Sequence, residues 1–222
     1  MKFSFITVGA WWLIFSLIPF YYLPSKKPRN KISKDIITKG FKELKLVWIQ
    51  IKLNIKLKQF LFAFFVYSTA LQTVMLVATY FGEEEIQWTN QSEKTIGLIL
   101  SILLIQIVAI LGAFLAAKSS SRYGNIKTLI VINLIWGVLC LVAFFIKTPI
   151  QFYFVAAFVG LVMGALQPLS RSTFSKFMPE TVDTTSYFSF YGVTEKISII
   201  IGMFLFGFID QITGSMRNSI LP

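Results

Sequence analysis

Six stretches of this chain are each long and apolar enough to cross a lipid bilayer: Phe3 to Leu23, Gln59 to Phe81, Thr95 to Ala117, Thr128 to Ile146, Ile150 to Leu169 and Phe188 to Ile209. Hydrocarbon offers no partner to a backbone N–H or C=O, so a segment that crosses it must satisfy its own hydrogen bonds, and about 20 residues do so as an α-helix. The expected fold class is therefore all-α, a polytopic transmembrane helix bundle. Composition agrees. Hydrophobic residues make up 55% of the chain, with 23 Phe and a mean hydropathy of +0.70, whereas soluble domains hold roughly 45–50% apolar residues. The sequence contains no His, and its one cysteine, Cys140, sits inside an oily run. A disulfide framework, a Cys/His metal site and histidine acid–base chemistry are thereby excluded, and no cofactor is expected.

The connections alternate in charge. The stretch Pro24 to Lys58 carries eleven Lys or Arg against Asp35 and Glu43, a net +9. It is followed by the acidic "GEEEIQWTNQSEK" (Gly82 to Lys94), the basic "KSSSRYGNIK" (Lys118 to Lys127), a tight "KTP" (Lys147 to Pro149) and "SRSTFSKFMPETVDTTSY" (Ser170 to Tyr187). The positive-inside rule puts the first, third and fifth connections in the cytoplasm and both termini outside. Met1 to Ser25 reads less well as a secretory signal, because its oily stretch is too long and no small-x-small cleavage site follows. Within the basic connection, "ELKLVWIQIKLNIKLK" is expected to lie on the inner membrane surface with its lysines toward anionic headgroups. The alternation Ile51, Leu53, Ile55, Leu57 leaves strand and helix both open there. No base-reading pattern accompanies the charge, so nucleic acid is not an expected partner.

Amides recur at membrane depth: Gln72, Gln106, Asn133 and Gln167, each on a different segment. An unpartnered amide is costly in hydrocarbon, so all four are expected to face the bundle interior or a wet cavity, as substrate contacts or as interhelical hydrogen bonds worth about 0.6 kcal/mol each. Small residues one turn apart, Ala109 with Ala113 and Ala117, Gly112 with Ala116, and Gly160 with Gly164, allow close helix approach. The last segment raises a sharper question. From Ile197 to Ile209 its oily run is only about 20 Å long at 1.5 Å per residue, so to cross it must carry Glu195 and Lys196 inside. Adjacent residues point about 100° apart, and each charge needs its own partner. One reading pairs Glu195 with Arg171 as a cytoplasmic gate, with Arg122 and Lys127 on the same face. The other has Lys196 snorkelling and Glu195 solvated at a helix start.

Three stretches, "FFVYSTALQTVMLVATYFGEEE" (Phe64 to Glu85), "GALQPLSRSTFSKFMPE" (Gly164 to Glu180) and "YGVTEKISIIIGMFLFGFIDQITGSMRNS" (Tyr191 to Ser219), closely resemble bacterial members of the autophagy-related vacuolar effluxer family of the major facilitator superfamily. The resemblance implies twelve helices in two halves, of which this chain corresponds to the sixth through eleventh. Residues 1–23 would be the last helix of the N-terminal half, 24–58 the basic cytoplasmic central loop, and 59–222 a C-terminal half lacking its last helix. The "QITGSMRNSILP" tail then reads as the approach to a further helix, and the missing N-terminal half as the chain's partner. In the superfamily's Gly-Asp-Arg-Gly-basic motif, Arg122, Gly124 and Lys127 match while Ser121 stands at the acidic position. Ser170, Arg171 and Ser172 match a Leu-Ser-Arg-Ser block, and Lys196 a lysine of the eleventh helix. Where the family often has a carboxylate, Ser68, Thr69 and Ala70 stand here. The implied function is secondary active transport of a small solute, such as an amino acid, in a bacterial cytoplasmic membrane. The alternative is a membrane subunit whose helices only pack against a partner. An enzyme is not expected, since no nucleophile–base set converges on one face.

Overall fold

The computed structural model describes residues 2–22, 36–180, 183–214 and 216–219. Its elements are α1 (Lys2–Tyr22), α2 (Ile36–Leu53), α3 (Ile55–Glu84), α4 (Gln91–Tyr123), α5 (Asn125–Phe145), α6 (Pro149–Phe177), α7 (Thr184–Thr213) and the short α8 (Met216–Ser219), with no strand among the described residues. All but α2 and α8 are long and apolar enough to cross a membrane. The protein is a multi-pass membrane helix bundle. The strand-like alternation around Ile51 to Leu57 resolves as helix, broken only at Asn54. The Pro24 to Asp35 part of the basic connection and the last residues, Ile220 to Pro222, lie outside the described residues.

The helices run well past the apolar segments that announce them. Hydropathy marks the residues at hydrocarbon depth, whereas i→i−4 hydrogen bonding continues until a capping signal ends it. The stretch Lys118 to Tyr123, expected as connection, is helix, and only Gly124, with φ of +86°, separates α4 from α5. Ser170 to Phe177 likewise belongs to α6, and α7 begins at Thr184 instead of Phe188. The ends that do form are chemically marked. Asn54 Oδ1 accepts from Leu57 N at 3.2 Å and Asn90 Oδ1 from Glu93 N at 2.8 Å, while Thr148 and Gln151 form a capping box that opens α6 at Pro149. Gly214, left-handed with φ of +61°, closes α7.

Two compact units are present, Met1–Phe41 and Lys42–Pro222. In the first, α1 is an apolar helix with Pro19 inside it and Trp11 stacked on Phe15 at 4.2 Å. In the second, α3 to α7 pass alternately between a basic end, bearing Arg122, Lys127, Arg171 and Lys176, and an acidic end, bearing Glu83, Glu84, Glu85 and Glu93. Helices α4 and α6 make the closest seam. A Cβ at Gly112, Gly160 or Gly164 would run into the facing backbone at Leu161, Ile105 or Ala109, so these glycines set how near the two axes come. Gly202 does the same for α7 against Thr69 and Thr73 of α3. Around these contacts Leu57, Phe64, Leu71, Val162, Leu166, Leu169, Phe174 and Tyr191 form one core. The outer faces stay apolar and exposed, for example Ile107, Ile110, Leu111 and Phe114 on α4, as befits surface that meets lipid.

Candidate functional site

Four buried polar side chains, Ser68, Gln72, Ser170 and Ser198, gather where α3, α6 and α7 meet. On α3, Phe64, Ser68, Leu71 and Gln72 fall on one face at spacings of four, seven and eight. On α7, Tyr191, Glu195, Ser198 and Gly202 repeat at four, seven and eleven, and on α6, Leu166, Ser170, Thr173 and Phe174 at four, seven and eight. Each face thus presents polar atoms to the others. Gln72 Nε2 donates to Glu195 Oε1 at 2.8 Å. Ser198 Oγ lies 3.1 Å from Ser68 Oγ. The Tyr67 and Ser170 hydroxyls are 2.6 Å apart, and Ser170 Oγ also donates to the Leu166 carbonyl at 2.6 Å.

Arg171 Nη2 stands 3.9 Å from Glu195 Oε2, with its guanidinium 6.0 Å from the centre of the Tyr191 ring. That ring is held by Phe64 at 4.2 Å and Phe174 at 5.0 Å. Arg171, Glu195, Tyr191 and Phe64 line, with Tyr67, Gln72 and Ser170, a cavity of about 340 Å³ that also includes Gln167 and Pro168. Glu195 is the twelfth residue of α7, roughly 17 Å along it at 1.5 Å per residue. It is thus three turns from the helix start, further along than in a helix beginning at Phe188, and out of reach of the first-turn dipole.

Of the four amides, the structure brings Gln72 and Gln167 to this cavity and leaves the other two elsewhere. Gln167 is exposed, its Nε2 lying 3.5 Å from Met75 Sδ. Asn133 instead satisfies itself on its own helix, donating to the Leu129 carbonyl at 2.9 Å. Gln106 departs from the expected inward placement and sits on an exposed face of α4. Arg122 is exposed at the end of α4 with its guanidinium over the Tyr123 ring, and Ser121 bonds back to Lys118, so no charge pair forms there among the described residues. Lys196 points outward. Sequence reasoning missed Tyr67, Tyr191 and Ser198; the available signal was the helical repeat of polar side chains on α3 and α7.

A second cavity, about 390 Å³, lies between α3, α5, α6 and α7. Its Thr69 and Thr73 hydroxyls are committed to carbonyls of their own helix at 2.8 and 2.7 Å, and the rest of its lining is almost wholly apolar, with the indole Nε1 of Trp136 unpaired among the described residues. It suits hydrocarbon better than a charged solute. The polar cavity, with one cation, one anion and several neutral donors, is the one equipped to hold a small polar molecule.

A family model described as "Vacuole effluxer Atg22 like" matches residues 1–222. The chain belongs to this family. Among curated relatives, the uncharacterized MFS-type transporter YxiO of Bacillus subtilis is 28% identical over 98% of this chain and 49% of its own length. Autophagy-related protein 22 of Eremothecium gossypii is 26% identical over 99% of this chain and 46% of its own, and that of Saccharomyces cerevisiae 31% identical over 72% and 31%. The chain thus spans about half the length, or less, of the curated relatives it matches. No solved structure matches it. Membership in the effluxer-like family fits the all-helical membrane bundle.

Proposed function

We propose that this chain forms part of a secondary transporter of the major facilitator type, which moves a small polar solute across a bacterial cytoplasmic membrane by alternating access. The observation that carries the reading is the Arg171–Glu195 pair. It joins two helices inside the bundle at a single contact of 3.9 Å, with Gln72 holding the carboxylate from a third helix. Glu195 is largely withdrawn from water, 20% exposed against 65% for Arg171, and a carboxylate whose cation stands at so long a contact is available to a ligand. The cavity beside it offers a cation and an anion a few ångströms apart, which is the complement of a zwitterionic amino acid: carboxylate toward Arg171, ammonium toward Glu195. A solute that takes both charges breaks the contact between α6 and α7. The same contact, re-formed, closes the basic end, which this reading places in the cytoplasm.

The test is uptake of a panel of labelled amino acids by proteoliposomes holding this chain together with the remaining half of the length its relatives have. Saturable uptake is expected from the whole and none from the chain alone. Arg171→Gln and Glu195→Gln should each lower uptake at least tenfold, and the double substitution no further than the worse single, because one pair can be broken only once. Uptake indifferent to both substitutions would overturn the role given to the pair, and saturable uptake by the chain alone would overturn the partial-transporter reading.

A further inference from the structure

Helix α2 has two apolar faces, and the bundle uses only one. Val47 and Ile51 are buried in the core that contains Tyr187 and Tyr191. Tyr187 donates its hydroxyl proton to Gln50 Oε1 at 2.6 Å, Trp48 stacks on Phe190 at 5.7 Å, and Asn54 Nδ2, just past the helix, donates to the Phe177 carbonyl at 3.2 Å. These contacts fasten α2 to the end of α6 and the first two turns of α7, the helix that carries Glu195 a little further on.

The other face looks away. At 100° per residue, Ile49 lies 200° round from Val47, and Leu46 and Leu53 lie within about 60° of Ile49. All three are exposed, Leu53 to 81%. Lys42, Lys45 and Lys52 fall within the same arc, all exposed, and no acidic residue joins them, since Glu43 lies on the side nearer the core face. Water is a poor neighbour for Leu46, Ile49 and Leu53, and a protein partner for such a face would need carboxylates for three lysines. A bilayer surface rich in phosphate-bearing anionic lipid satisfies both halves of the pattern, with apolar side chains dipping below the headgroups and lysines reaching the phosphates.

We propose that α2 is a surface strap: its outer face binds anionic lipid, and its inner face passes that contact to α7 through Gln50–Tyr187 and Trp48–Phe190. Lipid charge then sets how firmly the first turns of α7 are held, and with them the Arg171–Glu195 cavity. The lipid contact stands on α2 alone. Only its consequence for transport rests on the function proposed above, so the experiment reads the contact and the cavity without transport.

The chain, with Cys140→Ser, Ile49→Cys and a polarity-sensitive fluorophore at position 49, is placed in nanodiscs of phosphatidylcholine or of an equimolar mixture of phosphatidylcholine and phosphatidylglycerol. A blue shift is expected in the anionic discs, reversed by high salt, which screens exposed charges, and lost in Lys42→Gln/Lys45→Gln/Lys52→Gln, whereas the triple Lys→Arg variant should keep it. A cysteine at Gln72 in the same Cys140→Ser background should change its rate of alkylation by a small reagent at least twofold between the two lipids. Lys52 Nζ also lies 5.2 Å from the centre of the Trp48 ring, so the Lys42→Gln/Lys45→Gln double variant, which should lose most of the shift, is measured beside the triple one, and unchanged helicity in phosphatidylcholine discs checks the fold of both. Identical spectra in the two lipids, or a shift that survives the Lys→Gln changes, would overturn the lipid contact. A shift reproduced by free phosphate in phosphatidylcholine discs would overturn the lipid surface as its partner. An alkylation rate blind to lipid would overturn the strap while leaving the contact.

Discussion

The two ends of the bundle each carry an arginine–glutamate pair joining helices, and the pairs are built differently. At the acidic end, Arg217 Nε donates to Glu85 Oε2 at 2.5 Å, its two other nitrogens reach the Phe144 and Glu85 carbonyls at 2.7 and 3.0 Å, and its guanidinium faces the Phe81 ring. Both side chains are mostly covered, at 17% and 22% exposure. At the basic end, Arg171 reaches Glu195 once, at 3.9 Å, and is 65% exposed. A guanidinium that donates from all three of its nitrogens is fixed by geometry; one that makes a single long contact in view of water is fixed by little. The first pair is a pin for the ends of α3, α5 and α8, and the second has the properties of a contact that opens.

Removing the pin should have the largest effect. Arg217→Gln leaves Glu85 partly buried without its cation and strips a donor from the Phe144 carbonyl. Breaking a buried pair costs about 3–5 kcal/mol, and the remaining exposure of Glu85 brings the expectation to about 2–3 kcal/mol. Denaturant or SDS unfolding in micelles measures it. A loss below about 0.5 kcal/mol, the range of an exposed ion pair, would make the two pairs equivalent and end the comparison.

Next comes the neutral partner at the basic end. Gln72→Leu removes the 2.8 Å donor to Glu195 Oε1, leaving the carboxylate only its long contact with Arg171. Hydrogen bonds to charged groups contribute about 1.5–3 kcal/mol, and the 20% exposure of Glu195 lets water recover part of it, so about 1 kcal/mol is expected. In the same measurement Gln72→Glu should cost more than Gln72→Leu, because it sets two carboxylates against each other; the reverse order would show that Gln72 does not hold Glu195.

How much of this was legible in the sequence follows from which force writes each feature. Hydrocarbon thickness imposes runs of about 20 apolar residues, so the six crossings could be read directly. The capping chemistry that ends each helix operates outside the hydrocarbon, where Lys118 to Tyr123 and Ser170 to Phe177 look polar and yet remain helical. The small-residue spacing of Gly112, Gly160 and Gly164 announced close packing but not that α4 and α6 would be the pair that uses it. Gln72 and Glu195 are 123 residues apart, and nothing local places them together. Their meeting depends on α7 lying close against α3 at Gly202, beside Thr69 and Thr73. Arg217 went unnoticed for a like reason: its three oxygen acceptors come from Glu85 and Phe144, two of them backbone carbonyls that carry no sequence signature.

The smallest effect belongs to the Arg171–Glu195 contact itself, and it is the most discriminating. Arg171→Gln, Glu195→Gln and the double variant form a cycle whose coupling energy isolates the pair from the other bonds of either residue. With Arg171 largely in water, the expected coupling is about 0.5 kcal/mol or less in unfolding, against at least about 1.5 kcal/mol for the corresponding Arg217, Glu85 cycle. Salt separates the two further. The screening length falls from roughly 10 Å at 0.1 M to roughly 3 Å at 1 M, shorter than the 3.9 Å contact at the basic end. The Arg171 coupling should therefore vanish in 1 M salt while the covered Arg217 coupling persists. A coupling above about 1.5 kcal/mol that survives salt would mean that Arg171 and Glu195 are locked as firmly as the pin. A pair locked that firmly could not open within a transport cycle, and a moving gate would have to be sought elsewhere in the bundle.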